Sequence, residues 1–176
     1  MSFLTQLDSA AAQLDIVLRI VIAVLLGALI GYERESTNQP AGLRTHMLVA
    51  GGAACFMALS MFGFGAVIEP GRVVLDPSRV AAQIVTGVGF LGAGAIWRTR
   101  ASVRGLTTAA SIWVVAAIGM ACGAALYIVA VAFTILGGIT LHFLHGPSKR
   151  GPRARFGEPS LVGEPERDED EEDNGD

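Results

Sequence analysis

The sequence predicts an all-α, polytopic membrane protein with about five transmembrane helices, on three observations. Its composition is 52% hydrophobic and only 16% charged, with a mean hydropathy of +0.52, as is typical of membrane proteins. Its apolar runs are long enough to cross a hydrocarbon layer about 30 Å thick. The composition changes sharply near residue 145, which predicts a transmembrane domain over residues 1–145 and a separate tail over residues 146–176.

The first three apolar runs predict three spans joined by polar loops. Ile16–Tyr32 is expected to be a retained span, because the charges ahead of it are acidic where a signal peptide is basic. Met47–Ile68 predicts the second span and Val80–Trp97 the third. Asp76 and Pro77 precede the third span, and an acidic N-cap followed by proline is a favoured helix start.

The uncharged stretch Leu106–Leu144 contains 39 residues, which is too long for one crossing and about right for two. We expect helices over Leu106–Gly123 and Leu126–Leu144, with a turn near Gly123. Four spans, one of them long and tilted or re-entrant, are the alternative. The tail that follows carries five basic and ten acidic residues, and we expect it to be disordered because it cannot bury enough apolar surface to fold.

Basic residues are distributed unequally between the two sides of a five-span protein. One side carries nine in its loops and the first ten residues of the tail, whereas the other carries Arg72 and Arg79. The nine are Arg34, Arg44, Arg98, Arg100, Arg104, Lys149, Arg150, Arg153 and Arg155. Because cytoplasmic loops are enriched in lysine and arginine, we expect the N-terminus outside and the C-terminus in the cytoplasm. Arg19, near the outer end of the first span, is expected to reach the interface with its long side chain.

A weak internal repeat relates two parts of the apolar domain. A shift of 63 positions places Gly42-Leu43-Arg44-Thr45 on Gly105-Leu106-Thr107-Thr108. The first four spans then form two helix hairpins of the same orientation, related by an axis along the membrane normal, plus a fifth helix. Chance similarity between glycine-rich apolar segments is the alternative.

Glycines in the third span are predicted to form a packing face. Small residues let helix backbones approach closely in lipid, so we expect this span to be the tightest packing element of the protein. The same string matches the dinucleotide fingerprint G-x-G-x-x-G, but no βαβ unit or following acid supports that interpretation. The GxxxG pairs Gly27–Gly31 and Gly119–Gly123 also suit close packing of spans one and four. The third-span glycines are Gly87, Gly89, Gly92 and Gly94.

Polar side chains within the spans are few, and no Asp or Glu lies in mid-span. Gln83 and Thr86, one turn apart, are interpreted as forming interhelical hydrogen bonds, and Ser111 is a further polar residue in span four. His46 and His142 are isolated, and a position at an interface explains each. A Mg²⁺ path would be expected to offer carboxylates or rings of carbonyls, and no nucleophile–base arrangement can be assembled. We therefore expect no catalytic residue, no metal site and no cofactor.

Charged residues next to the membrane are concentrated in the two predicted cytoplasmic loops. The positive-inside rule alone explains the presence of the arginines. We further expect Glu33 to reach Arg104 or the start of span four, which would clasp the two hairpins together. The alternative is that the arginines hold an anionic lipid headgroup or an acidic segment of a partner. The cluster consists of Glu33, Arg34, Glu35, Arg98, Arg100 and Arg104.

Three strings, AGLRTHMLVAGGAA, SRVAAQIVTGVGFLGAGAI and VRGLTTAASIWVVAAIGMACG, resemble the hallmark segments of the MgtC/SapB family of bacterial membrane proteins. The similarity runs from about Leu25 to Leu144. The resemblance implies a small inner-membrane protein associated with growth under magnesium limitation and, in pathogens, with survival inside host cells. It also implies action on other membrane proteins, including the proton-translocating ATP synthase. The residues in matching strings are Glu33, Arg34, Gly42 to Thr45, Gly87, Gly89, Phe90, Gly92, Gly94, and Arg104 to Ala109.

The sequence departs from this family pattern in two places. Many relatives continue into a soluble C-terminal domain, which the acidic tail is too short to form, and Thr107 stands where relatives often have asparagine. We expect membrane lipids and other integral membrane proteins as partners and no nucleic acid, with a homo-oligomer open. Two functions remain: a regulator that binds a membrane partner through its helix faces, which the missing mid-span acids favour, and a transporter of Mg²⁺ or another small solute, which the repeat favours.

Overall fold

Five helices and one short β-hairpin make up the part of the chain that this computed structural model describes, residues 10–64, 76–99 and 102–143. The helices confirm the predicted all-α membrane fold class. In chain order the elements are α1 (Ala10–Ser36), α2 (Leu43–Phe62), α3 (Ser78–Gly94), β1 (Trp97–Arg98), β2 (Val103–Arg104), α4 (Leu106–Gly123) and α5 (Tyr127–Phe143).

Three of these helices, α1, α2 and α4, are long and apolar enough to cross a membrane by length and composition, and α5 is a shorter apolar helix. One long tilted helix after Leu106 is excluded, because α4 ends at Gly123 and α5 begins at Tyr127; a re-entrant segment stays the alternative. The turn between them is closed by a 2.8 Å hydrogen bond from the Leu126 amide to the Ala121 carbonyl. Residues 1–9, 65–75 and 144–176 lie outside the described part, so the predicted domain boundary and the disorder of the tail stay predictions.

The central helix is α4, and not the third-span helix α3 as the sequence suggested. It packs against all four of the other helices. One hydrophobic cluster joins it to α1, α2 and α5 through residues such as Ala23, Ala50 and Ile118. A second cluster joins it to α2 and α3 through Ile84 and Ile112, among others. Burial of both faces of α4 is what holds the bundle together.

The GxxxG pairs of α1 and α4 lie at the two closest helix contacts along α2. A Cβ placed on Gly27 would come within 2.8 Å of the His46 carbonyl oxygen, and one placed on Gly123 within 2.5 Å of the Ala54 carbonyl oxygen. These distances are shorter than any real Cβ contact, so only glycine allows the backbones to approach this far. The close packing expected of these two pairs is therefore present, and both pairs face α2.

The glycines of α3 behave differently, and within the described chain they do not form the tightest packing face that the sequence predicted; packing between subunits stays a prediction. A Cβ on Gly87, Gly89 or Gly94 would meet no atom within 4 Å, and Gly92 alone has a neighbour, the Ala109 carbonyl oxygen at 3.6 Å. Only the Ile84–Val88–Gly92 stripe of α3 is buried. Spacing identified the small residues but could not tell which side of the helix faces the bundle.

The two repeated strings occupy the same place at the start of two helices. Gly42 is the N-cap of α2 and Gly105 is the N-cap of α4, so Leu43 and Leu106 are the first helical residues. The backbones differ, because Gly105 has φ = 85° whereas Gly42 has φ = −107°. The relation of the two hairpins by an axis along the membrane normal stays a prediction.

Candidate functional site

Four buried polar side chains and one partly buried carboxylate gather where the end of α1 meets the starts of α2 and α4. We call this set the buried polar cluster: Glu33, Arg34, His46, Thr108 and Ser111. Arg34, His46, Thr108 and Ser111 are each no more than 1% exposed. Burying polar groups in an apolar bundle is costly unless each has a partner, so the cluster is defined by its hydrogen bonds.

The Arg34 guanidinium is neutralised by the residue next to it. Its Nη2 donates to Oε1 of Glu33 at 2.7 Å, and its Nε donates to the second oxygen of the same carboxylate. A second bond from Nη2, 3.4 Å long, reaches the Leu141 carbonyl oxygen of α5. This bidentate geometry is the strongest form of arginine–carboxylate pairing, and it places an ion pair inside the bundle with no net charge.

His46 connects α2 to α4. Its Nδ1 lies 2.8 Å from the Gly42 carbonyl oxygen, and since a carbonyl only accepts, Nδ1 carries a proton. Its Nε2 lies 3.0 Å from Oγ of Ser111, and the Ser111 hydroxyl is also 2.8 Å from the Thr108 carbonyl oxygen.

The Ser111 hydroxyl has a single proton to donate. The protonation state of His46 therefore decides whether this hydroxyl donates to the Thr108 carbonyl of α4. With a neutral ring, Nε2 is an acceptor, so the hydroxyl can serve either Nε2 or the Thr108 carbonyl but not both. With a doubly protonated ring, Nε2–H donates to Oγ and the hydroxyl is free to serve Thr108. The cluster can therefore exchange one hydrogen-bond pattern for another without moving a helix.

Glu33 does not reach Arg104 or the start of α4, so the predicted clasp is wrong. The reason is that Arg34, the nearest cation, already occupies both carboxylate oxygens of Glu33. Of the two acids that end α1, Glu35 is the one that reaches a helix start, and its Oε2 accepts the Leu43 amide of α2 at 2.8 Å. Gly42 lies directly beneath it, and a Cβ there would be 2.8 Å from the same oxygen, so a larger residue would require the Glu35 carboxylate to shift. The carboxylate of Glu35, at the end of α1, thus caps the first turn of α2.

The predicted charge cluster is divided into two parts that differ in exposure. Arg34 is buried, whereas Arg98 and Arg104 are exposed on the β1–β2 hairpin. Arg100 lies outside the described residues. The arginines of this membrane side are therefore not equivalent, because one is neutralised inside the bundle and two face its surroundings.

The polar residues of α3 do not form the expected bonds between helices. The Thr86 hydroxyl donates to Ala82 of its own helix at 3.2 Å. Gln83 makes no hydrogen bond to another described residue and lines a groove of about 500 Å³ between α2 and α3. We call this the α2–α3 groove; apart from Gln83 its described lining is apolar, and it includes Leu48, Gly52, Phe56, Gly87 and Leu91. Of the three intramembrane polar residues selected from the sequence, only Ser111 joins two helices.

The remaining residues of the matching strings are mostly on the outside. Arg44, Thr45, Phe90, Leu106 and Thr107 are exposed, and Leu43 is half-buried. Only Thr108 among the threonines of the two repeated strings is buried.

Sequence reasoning missed His46, and it missed how Arg19 is held. His46 was interpreted as an isolated interface residue, although it lies within the string that also carries Gly42 and Arg44. Arg19 does more than extend to the interface. It pairs with Asp15, donates to the Gly123 carbonyl oxygen at 3.1 Å, and lies 5.3 Å from the ring centre of Phe62.

Within residues 10–64, 76–99 and 102–143, no three His, Cys, Asp or Glu side chains lie close enough to hold a metal ion. Every buried side-chain nitrogen and oxygen in those ranges has a hydrogen-bond partner. The buried polar cluster is therefore complete as it stands, and what it can do is hold three helices and exchange hydrogen-bond partners.

The fold and this cluster define a multi-pass, all-α membrane protein whose helices are joined at one end by a buried ion pair and a histidine. Residues 20–149 match the family model described as MgtC family, and the chain belongs to that family. It is 44% identical over 131 residues to "Putative magnesium transporter YhiD" of Escherichia coli strain K12, a match that covers 74% of this chain and 61% of the relative.

Two further relatives carry the name "Protein MgtC". The protein from Salmonella typhimurium strain LT2 is 49% identical over 120 residues, covering 68% of this chain and 48% of the relative. The protein from Brucella abortus is 52% identical over 104 residues, covering 59% and 40%. The chain thus spans between two fifths and about three fifths of the length of these relatives. No solved structure matches it.

Proposed function

We propose that this protein is a non-enzymatic regulator that binds another integral membrane protein and modulates it, in adaptation to low magnesium or to life inside host cells. The observation that carries the proposal is the α2–α3 groove. Its glycines Gly52 and Gly87 have open space above them, so a helix could approach closely there. A transmembrane helix of a partner, such as a subunit of ATP synthase or of an ion transporter, is the occupant we assign to it.

Gln83 supports the choice of a protein over bulk lipid as the occupant. Its amide is exposed in the groove and has no described partner. A polar amide facing hydrocarbon is unfavourable, and a side chain on a neighbouring helix can supply its missing hydrogen bonds at about 1 kcal/mol. A partner helix carrying a polar residue among small ones fits both features of the groove.

The test is site-specific photo-crosslinking in magnesium-starved cells. A photoreactive residue at Leu48, on the groove, is expected to crosslink to a defined membrane protein, and one at Ile128, an exposed residue of α5 outside the groove, is not. Gly87→Leu should abolish the crosslink and the growth of a complemented deletion strain at low magnesium. Equal crosslinking from both positions, or full growth with Gly87→Leu, contradicts the proposal.

The second candidate is transport of Mg²⁺ or another small solute, which the name of the YhiD relative favours. Purified protein in liposomes that contain a Mg²⁺ indicator distinguishes the two. We expect no flux, because the described parts of the helices bring no carboxylates together that could replace the hydration of this ion. A saturable flux that Gln83→Ala abolishes would establish transport instead.

We infer the orientation from the distribution of basic residues, which places the β1–β2 hairpin and the C-terminus on the cytoplasmic side of the bacterial inner membrane. Reporter fusions at Ser36, Leu75, Ser102 and the C-terminus test this. An external C-terminus contradicts it.

A further inference from the structure

The β1–β2 hairpin presents positive charge and an aromatic ring at the end of the bundle. Trp97 pairs with Arg104 and Arg98 pairs with Val103 across its two strands. All four side chains are exposed, Trp97 at 68% and Val103 at 50%. Each cross-strand pair therefore combines one apolar and one cationic side chain, so both faces of the hairpin are amphipathic.

The hairpin is held in a fixed position. Its tip is closed by a 2.8 Å hydrogen bond from the Thr99 amide to the Ser102 carbonyl. Its base is closed by Gly105, whose φ of 85° disfavours other residues and whose missing Cβ leaves room for the Ala95 carbonyl oxygen. α4 follows directly and is bound to α2 through Ser111 and His46. Arg98 and Arg104 therefore project from a hydrogen-bonded hairpin that is attached directly to the packed helix α4.

No acid of the described chain neutralises these arginines. The sequence contains neither Asp nor Glu between Asp76 and Glu158. The two acids that end α1 are engaged elsewhere, Glu33 with Arg34 and Glu35 with the Leu43 amide. Neither Arg98 nor Arg104 forms an ion pair with another described residue. Their counter-charge must therefore come largely from outside the described bundle.

We propose that the β1–β2 hairpin is a binding surface for anionic phospholipid headgroups, such as those of phosphatidylglycerol. Guanidinium groups bind phosphate oxygens in a bidentate manner, and tryptophan prefers the depth at which headgroups meet acyl chains. Trp97 and Val103 enter the interface while Arg98 and Arg104 hold the phosphates. This surface is separate from the α2–α3 groove and does not depend on what that groove binds.

Trp97 itself supplies the measurement, since Trp113 is the one other tryptophan of the chain. The full chain carrying Trp113→Phe is reconstituted into vesicles that contain lipid brominated near the headgroup, because bromine quenches tryptophan fluorescence only at contact distance. Brominated phosphatidylglycerol is compared with brominated phosphatidylcholine at the same mole fraction. The ratio of the two quenching efficiencies reports whether the anionic lipid is enriched at the hairpin.

We expect severalfold preferential quenching by phosphatidylglycerol, falling by up to about fivefold for each of Arg98→Gln and Arg104→Gln. Arg98→Lys should retain most of the preference, and inorganic phosphate in the buffer should not alter it. Arg44→Gln is the matched control, an exposed arginine at the start of α2.

Equal quenching by the two lipids overturns the proposal. So does an equal loss with Arg44→Gln, which would indicate only a diffuse surface potential. Quenching by neither lipid also overturns it and favours an acidic protein ligand.

Discussion

Replacing Gly119 by alanine tests whether the bundle is built on close approach of α4 to α2. A Cβ at this position would overlap the Ala50 carbonyl oxygen and come within 3.0 Å of the Ala53 Cβ. The overlap with Ala50 is with backbone, which cannot rotate away as a side-chain tip can. The matched control is Gly89→Ala, where the added Cβ would meet no atom within 4 Å.

The expected magnitudes follow from these two environments. Relief of the overlap requires the helices to separate by roughly 1 Å, and a gap of this size forfeits about a quarter to a half of the dispersion energy of the atoms that line it. Overpacking against backbone costs about 3 kcal/mol, at the upper end of its usual range. Alanine returns about 1 kcal/mol through its better helix propensity. We therefore expect Gly119→Ala to lower the free energy of unfolding by about 2 kcal/mol and Gly89→Ala to raise it by at most about 1 kcal/mol.

The assay is equilibrium unfolding in mixed micelles of a mild detergent and dodecyl sulfate, followed by loss of helicity. A second variant with Ala50→Gly added to Gly119→Ala should not recover stability, because the overlap is with the carbonyl oxygen of Ala50 and not with its methyl group. If the two single variants unfold at the same denaturant fraction, or if Gly89→Ala is the less stable, then α3 and not α4 is the packing centre.

Two further predictions concern hydrogen-bonded pairs, one of His46 and Ser111 in the buried polar cluster and one of Asp76 and Ser78 at the start of α3. Ser111→Ala should lower the free energy of unfolding by about 1–3 kcal/mol, because Nε2 of His46 loses its partner in a fully buried site; Thr86→Val, which removes a hydroxyl bonded only within its own exposed helix turn, should change it by less than about 0.5 kcal/mol. Bonds from the hydroxyl and amide of Ser78 hold the pKa of Asp76 below its usual value, so the stability that Asp76 provides is present above the ordinary carboxyl pKa and is lost as the pH falls through the lower folded value. Asp76→Asn, which keeps an acceptor oxygen, should remove this part of the pH dependence of the unfolding midpoint, and an unchanged profile would contradict the assignment.

The sequence was sufficient for the helices because their signal is local. The length of the uncharged stretch and its Gly123-Ala124-Ala125 string located the end of α4 and the start of α5 to within about one residue, at Gly123 and Tyr127. α2 was placed less well, since it begins at Leu43, four residues before the predicted Met47. Thr45 and His46 are polar, but helical geometry and burial of the histidine override their polarity. A hydropathy pattern cannot register a polar residue that will be satisfied by a partner 65 positions away.

The same limit explains why the contacts of the candidate site were not predicted from the sequence. Gly119 and Gly89 are alike in sequence, and only the direction in which each helix faces separates a packed glycine from an exposed one. Glu33 had several cations within reach of its loop, and the sequence offered no means of choosing the adjacent Arg34 over Arg104. Pairings that depend on three-dimensional direction were predicted poorly, whereas composition and spacing predicted the fold class well.

Burial of Arg34 changes what the charge asymmetry of the chain means. The positive-inside rule counts every basic residue near the membrane equally, but a guanidinium neutralised by Glu33 inside the bundle contributes little to the potential felt by headgroups. Removing one partner of such a pair leaves a buried charge and costs about 3–5 kcal/mol, so the pair is expected to act on stability. Arg98 and Arg104 are exposed and form no ion pair with a described acid, and it is their charge that we propose acts on lipid. The arginines of two separate loop regions thus differ by burial alone, because Arg34 is paired inside the bundle whereas Arg98 and Arg104 are exposed at its end.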